Sequence, residues 1–217
     1  MSLQSVLFDF DGTLADSGQC AVIATQQAFR EHQLPAPPAA AIVQHMGIPI
    51  ERCFHSLGAA DLDDIAFAAL LATFRQHYAA AAASHIHLYP GIADLLAALK
   101  AQGRSCGIIS SKKATVLRDN CAQLGIAAQF DVFVGSDDVR HYKPHPEGIE
   151  RALAVLACPA GRAIYVGDAV SDIAAGRAAG VQTCAVTWGA HDAVALAAAA
   201  PDFLLTDVAD LQRLLLG

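Results

Sequence analysis

Short apolar runs alternate along this chain with stretches that carry helical periodicity. Val6–Phe10 is rich in strand formers and stops at the turn signal Asp11-Gly12. Similar runs lie at Cys106–Ile109, Val132–Val134, Ile164–Val166 and Thr183–Val186. Each is apolar at consecutive rather than alternate positions, which predicts a parallel strand buried on both faces. Between them, Pro90-Gly91 opens a helix whose Leu95, Leu96 and Leu99 share one face, with Gly103 just past its end. Further helices are expected over about 114–124, closed by Gly125, and about 147–156. Strand and helix in alternation predict an α/β fold with a doubly wound parallel sheet.

The stretch from Ser17 to Ser84 breaks this rhythm and contains no convincing strand. It reads as a helix over Gly18–His32, the loop Leu34–Pro38, shorter helices around Ala39–Met46 and Ile50–Leu57, and a long one from about Leu62 to Ala82, with Asp61 as its expected N-cap. The expected organisation is a core formed by residues 1–15 and 86–217, with a small all-α cap over residues 16–85 inserted after the first strand.

Composition narrows the function. Of 217 residues, 54% are hydrophobic and 16% charged, enough apolar side chain for a sizeable core. The formal charge is -7 and no basic block occurs, which argues against nucleic acid as a partner. No apolar run is long enough to span a bilayer, so no membrane partner is expected. Six cysteines occur without a CxxC pair, as expected of buried thiols in a reducing, cytoplasmic setting. Monomer and homodimer both remain open.

Residues capable of chemistry gather where strands are expected to end. Asp9 and Asp11 follow the first run with one residue between them, either as part of an Asp-Gly turn or as a pair whose mutual repulsion calls for a hard divalent cation. Ser110-Ser111-Lys112 follows the second, either as a polar loop or as a set of hydroxyls and amides suited to phosphate oxygens. Lys143 lies in Tyr142-Lys143-Pro144-His145-Pro146, stiffened by its prolines, or is simply an exposed lysine. Asp168 and Asp172 follow the run Ile164–Val166, where helix capping is the plainer use of Asp168.

Taken together and in this order, the four sites resemble the haloacid dehalogenase superfamily, and within it the phosphoglycolate phosphatase group. The resemblance rests on DxDGT at Asp9–Thr13, a hydroxyl at Ser110, KPxP at Lys143–Pro146 and GDxxxD at Gly167–Asp172, with Tyr89-Pro90-Gly91 at the return from the cap. It implies a Rossmann-like core and a magnesium-dependent phosphatase acting on a small phosphorylated metabolite, phosphoglycolate-like in kind. Asp9 would be the nucleophile and form an aspartyl-phosphate. Asp11 would be the general acid and base, with a raised pKa. Asp9, Asp168 and the backbone carbonyl of Asp11 would hold Mg2+. Ser110, Ser111 and Lys143 would bind phosphate, and Asp172 would orient Lys143 or the waters on the metal.

The helical cap would exclude water and select the leaving group. His45, Met46, Gly47 and Arg52 are its candidate contacts; Met46 is better read as core, and Arg52 is either a surface charge or an anchor for a substrate carboxylate. His141 and His145 flank Lys143 but lack a third ligand at recognisable spacing, so they read as loop histidines. A phosphotransferase such as a sugar-phosphate mutase, or a non-catalytic binding module, could use the same scaffold.

Overall fold

The computed structural model describes residues 3–217. In chain order its elements are β1 (Ser5–Phe8), β2 (Ala15–Asp16), α1 (Gly18–Glu31), α2 (Ala39–Gln44), α3 (Ile50–Phe54), α4 (Asp64–His85), β3 (His87–Leu88), α5 (Ile92–Ala101), β4 (Ser105–Ile109), α6 (Ala114–Gln123), β5 (Val132–Val134), α7 (Glu147–Val155), β6 (Ala163–Gly167), α8 (Val170–Ala178), β7 (Gln182–Val186), α9 (Ala193–Ala198), β8 (Phe203–Leu205) and α10 (Val208–Leu216). Among the described residues no helix is long and apolar enough to cross a membrane.

Six strands form one parallel sheet in the order β5-β4-β1-β6-β7-β8. The fold is therefore α/β and doubly wound, as the alternating pattern predicts. β1 lies at the centre because every residue in it is buried and it has neighbours on both edges, Phe8 facing Ile108 on β4 and Val166 on β6. The chain steps outward from β1 through β4 to β5, then crosses to β6 and steps outward the other way. That reversal puts a topological switch point at the carboxyl end of β1, where doubly wound sheets bind ligands.

The all-α cap inserted after β1 contains α1 to α4. Its interior is a run of edge-to-face rings, Phe29 on Phe54 and Phe54 on Phe74, both 5.1 Å between centroids. α4 begins at Asp64, capped by Asp63, whose carboxylate accepts from Ala66 N at 2.8 Å. This corrects the expectation of Asp61: the residue directly before the first helical one makes the cap, its carboxylate reaching the N–H three positions on. α3 stops at Phe54 and widens into a π turn over His55–Ala59, which opens at Gly58 with φ 109°. The two crossings between cap and sheet are joined by a short antiparallel ribbon, Ala15 facing Leu88 and Asp16 facing His87. At two residues each, these strands are too short for any periodicity to announce, and the three-residue edge strand β8 is little longer.

Candidate active site

Strand ends bring the predicted residues together. Asp9 follows β1 and its N–H donates to Val166 O on β6 at 2.9 Å, so the side chain sits at the sheet's centre. Ser110 follows β4, and its N–H donates to Val134 O at 3.0 Å. Asp168 follows β6, and Asp172 is in the first turn of α8. Asp9, Asp168 and Asp172 are 2%, 3% and 0% exposed, and one carboxylate oxygen of each lies within 4.8 Å of the others.

Lys143 enters this group from the loop before α7. Its Nζ is 2.9 Å from Asp9 Oδ1, 2.7 Å from Asp172 Oδ1 and 3.4 Å from the hydroxyl of Tyr165. Burial alone would depress the Lys143 ammonium, yet the carboxylates of Asp172 and Asp9 hold it well above the usual lysine range. Asp172 is fixed from behind: its second oxygen accepts from Ala169 N at 3.0 Å, and Tyr165 OH is 3.2 Å from its first. A side chain on Gly167 would put a Cβ 2.4 Å from Asp172 Cβ, so only glycine lets α8 approach β6 this closely.

Asp168 accepts from Thr13 Oγ1 at 3.3 Å and from Ala190 N at 2.7 Å. Burial, and then the Asp172 charge, push its carboxyl up to about 7. Burial likewise raises Asp9 well above the carboxylate range, against the pull of Lys143. Three buried acids, two of them paired with one buried lysine, form an oxygen-rich, electron-rich cluster. Such a donor set fits a hard divalent cation.

The side chain of Asp11 is not part of this cluster. Its carboxylate is hydrogen-bonded by Ser17 Oγ and ion-paired with Lys112 Nζ. Lys112 lies over the rings of Phe10 and Tyr78, 5.5 and 5.0 Å from their centroids, and Asp11 raises its ammonium against the depressing effect of burial. Lys112 lies within a motif visible in the sequence, yet nothing in that motif assigns it a part. Tyr165 lies outside all four motifs, and its buried hydroxyl requires a partner.

Two other expected residues have partners outside the acid cluster. Ser111, grouped with Ser110 as a phosphate ligand, donates its hydroxyl to Gly47 O on the cap at 2.6 Å, while Ser110 Oγ accepts from Lys112 N at 3.2 Å. Arg52, an expected anchor for a substrate carboxylate, is exposed and lies over the ring of Tyr142, 5.5 Å from its centroid, because α3 turns it toward the Lys143 loop. His45, Met46 and Gly47 do border a cavity of about 460 Å³ between cap and core, with Asp11 and Lys112 also in its wall; Arg52 does not.

The loop histidines acquire a third donor that their spacing conceals. One donor atom each of His141, His145 and Glu147 lie within 4.8 Å of one another. The Glu147 carboxylate is already used as a loop clamp: it accepts from Arg140 N at 2.8 Å, His141 N at 3.0 Å and His141 Nδ1 at 2.9 Å.

A doubly wound sheet with buried acids and a lysine at its switch point, roofed by a helical cap, defines an α/β protein with a candidate catalytic centre at its strand ends. A sequence model of the haloacid dehalogenase-like hydrolase family matches residues 6–186. The chain belongs to that family. It is 30% identical over 211 residues to the pyrophosphatase PpaX of Oceanobacillus iheyensis, covering 97% of this chain and 96% of that one. It is 33% identical over 214 residues to the phosphoglycolate phosphatase of Yersinia pseudotuberculosis, covering 97% and 92%. A solved haloacid dehalogenase-like family protein from Streptococcus pneumoniae superposes with a TM-score of 0.84 at 29% identity, covering 98% of each chain.

Proposed function

We propose that this protein is a magnesium-dependent phosphatase that hydrolyses a small phosphomonoester through an aspartyl-phosphate on Asp9. One observation carries the reading: a buried carboxylate, Asp9, held 2.9 Å from a buried lysine within an acid cluster at the switch point of the sheet. The names of the relatives, pyrophosphatase and phosphoglycolate phosphatase, support phosphoryl chemistry.

In this mechanism Asp9 attacks phosphorus, an Asp9 oxygen–phosphorus bond forms, and the bond from phosphorus to the leaving alcohol breaks. Asp11 protonates the departing oxygen from the cavity side, then takes a proton from the water that cleaves the acyl phosphate. Lys143, held by Asp172 and backed by Tyr165, keeps the nucleophile in place and receives negative charge from the phosphoryl oxygens. The Ser110 hydroxyl, at the end of β4, is the neighbouring phosphate ligand. Asp9, Asp168 and the backbone carbonyl of Asp11 would hold Mg2+, which when bound supplies positive charge against the phosphoryl group and the clustered acids.

The test is a phosphoenzyme trap. Acid quenching during turnover of a labelled phosphomonoester should leave label on Asp9, and Asp9→Asn should abolish both label and phosphate release. Undiminished release from Asp9→Asn would reject the mechanism.

A further inference from the structure

Asp11 stands in the wall of the cap–core cavity, so in the mechanism above the leaving oxygen faces it and the rest of the leaving group extends inward. At about 460 Å³ the cavity falls in the range of sites that enclose whole drug-sized molecules, room for a group on the order of ten heavy atoms. Its apolar wall comes from both sides of the cleft: Ile42, Met46 and Ile50 from the cap's short helices and turn, Phe74 and Ala82 from α4, and Val116 from α6 of the core. The volume does not result from a lifted cap, because Ser111 on the core holds Gly47 on the cap at 2.6 Å.

Charge along the wall decides what the cavity favours. Its cations are Lys112, Lys113 and Arg75, and its acids are Asp11, Glu51 and Asp119. Lys112 is ion-paired with Asp11, and Arg75 with Glu51 at 3.2 Å. With three cations against three acids, His45 apart, the wall carries no net positive charge to draw in a second anionic group. Arg52, the other cation expected for that purpose, lies over Tyr142 outside the wall. A compact polyanion such as phosphoglycolate or pyrophosphate would leave most of this apolar surface in contact with water.

We propose that the preferred substrate is the phosphate monoester of a bulky, largely apolar alcohol, whose hydrocarbon body fills the space between α2, α4 and α6. This rests on the phosphatase reading and adds the class of leaving group. Apolar burial is worth about fourfold in affinity per methylene. Catalytic efficiency on straight-chain alkyl phosphates, from methyl to octyl, should therefore climb several-fold with each added methylene until the cavity is full, and the longer esters should overtake phosphoglycolate and pyrophosphate.

The experiment measures kcat/KM by phosphate release over that series in the presence of Mg2+, for the wild-type chain and for Ala79→Trp. Ala79 is an exposed residue of α4 that borders the cavity, so a bulky replacement can fill the space without disturbing the core. A rising series that Ala79→Trp flattens supports the proposal. A flat or falling series, with phosphoglycolate or pyrophosphate turned over best, overturns it and leaves the phosphatase reading standing. Absence of phosphate release from every ester, together with no label on Asp9, would overturn both.

Discussion

Stripping divalent cations should reverse the usual acid sensitivity of this fold. Asp168 has its carboxyl at about 7 in the folded chain against an ordinary value of 3.8, mainly through burial and then through Asp172. Below the ordinary value the folded and unfolded chains are both protonated there. Between the two values the unfolded chain releases a proton that the folded chain retains, so stability falls as pH rises, and above about 7 the loss is complete. At about 1.4 kcal/mol per pH unit, Asp168 alone accounts for a loss of about 4 kcal/mol. For a chain of this size that is a drop in Tm on the order of 10 °C.

Glu147, whose carboxyl is held down at about 2 by the Arg140 N–H and the groups of His141, contributes its stability above the ordinary carboxylate range and loses it only as pH falls toward 2. It is therefore constant from about pH 5 upward. Magnesium requires the ionised carboxylates, so its stabilising effect should grow over the same pH range in which the metal-free protein weakens. The assay is thermal melting at about pH 5 and about pH 8, with excess chelator and with excess magnesium. A metal-free Tm that is flat or rises with pH, or a magnesium shift of equal size at both pH values, would refute the reasoning.

Three further outcomes follow from the same geometry. Asp11→Asn should slow turnover of alkyl phosphates by about 10²–10⁴-fold but nitrophenyl phosphate far less, since a good leaving group needs little protonation; equal losses on both would remove Asp11 from that role. Lys143→Met leaves Asp9 and Asp172 buried without their cation, and chemical denaturation of the metal-free protein near neutral pH should show a loss of about 3–5 kcal/mol. Arg52→Ala removes an exposed cation–π contact worth about 0.5–1 kcal/mol and should lower kcat/KM alike for phosphoglycolate and nitrophenyl phosphate; a loss confined to phosphoglycolate would return Arg52 to the substrate.

Much of the fold and the positions of Asp9, Ser110 and Asp168 can be read from the chain, because each of these residues sits where an uninterrupted apolar run meets a polar loop. Runs of that kind, short and bounded by turn residues, fit buried parallel strands, whose ends lie side by side in the sheet. Tyr165 cannot be read this way. It sits in mid-strand between Ile164 and Val166, and its hydroxyl acquires meaning only once the register of β6 brings it to 3.1 Å from Ile109 O and within reach of Lys143. Lys112 adjoins a visible motif, yet its pairing with Asp11 depends on β4 lying beside β1. Arg52 shows the opposite difficulty: closeness in sequence to the cap turn says nothing about which way α3 points its side chain.

Reactivity and selectivity therefore occupy different levels of the same chain. Asp9, Lys143, Asp168 and Asp172 are held mostly by backbone geometry at adjoining strand ends and by one another, within a layer that short sequence patterns describe. The cap–core cavity belongs to no single element. Met46, Phe74 and Val116 come from a cap turn, a cap helix and a core helix, and they face one another only because the β2–β3 ribbon and the Ser111–Gly47 hydrogen bond fix where the cap rests. Changing a side chain in that wall alters what fits without touching the strand ends, so the phosphoryl chemistry can stay constant while the alcohol changes. Relatives that share the core at about 30% identity and yet are named for pyrophosphate and for phosphoglycolate are what such an arrangement permits. For this chain, the proposed preference for an apolar alcohol rests on that wall, with its three cations against three acids, rather than on any of the four motifs.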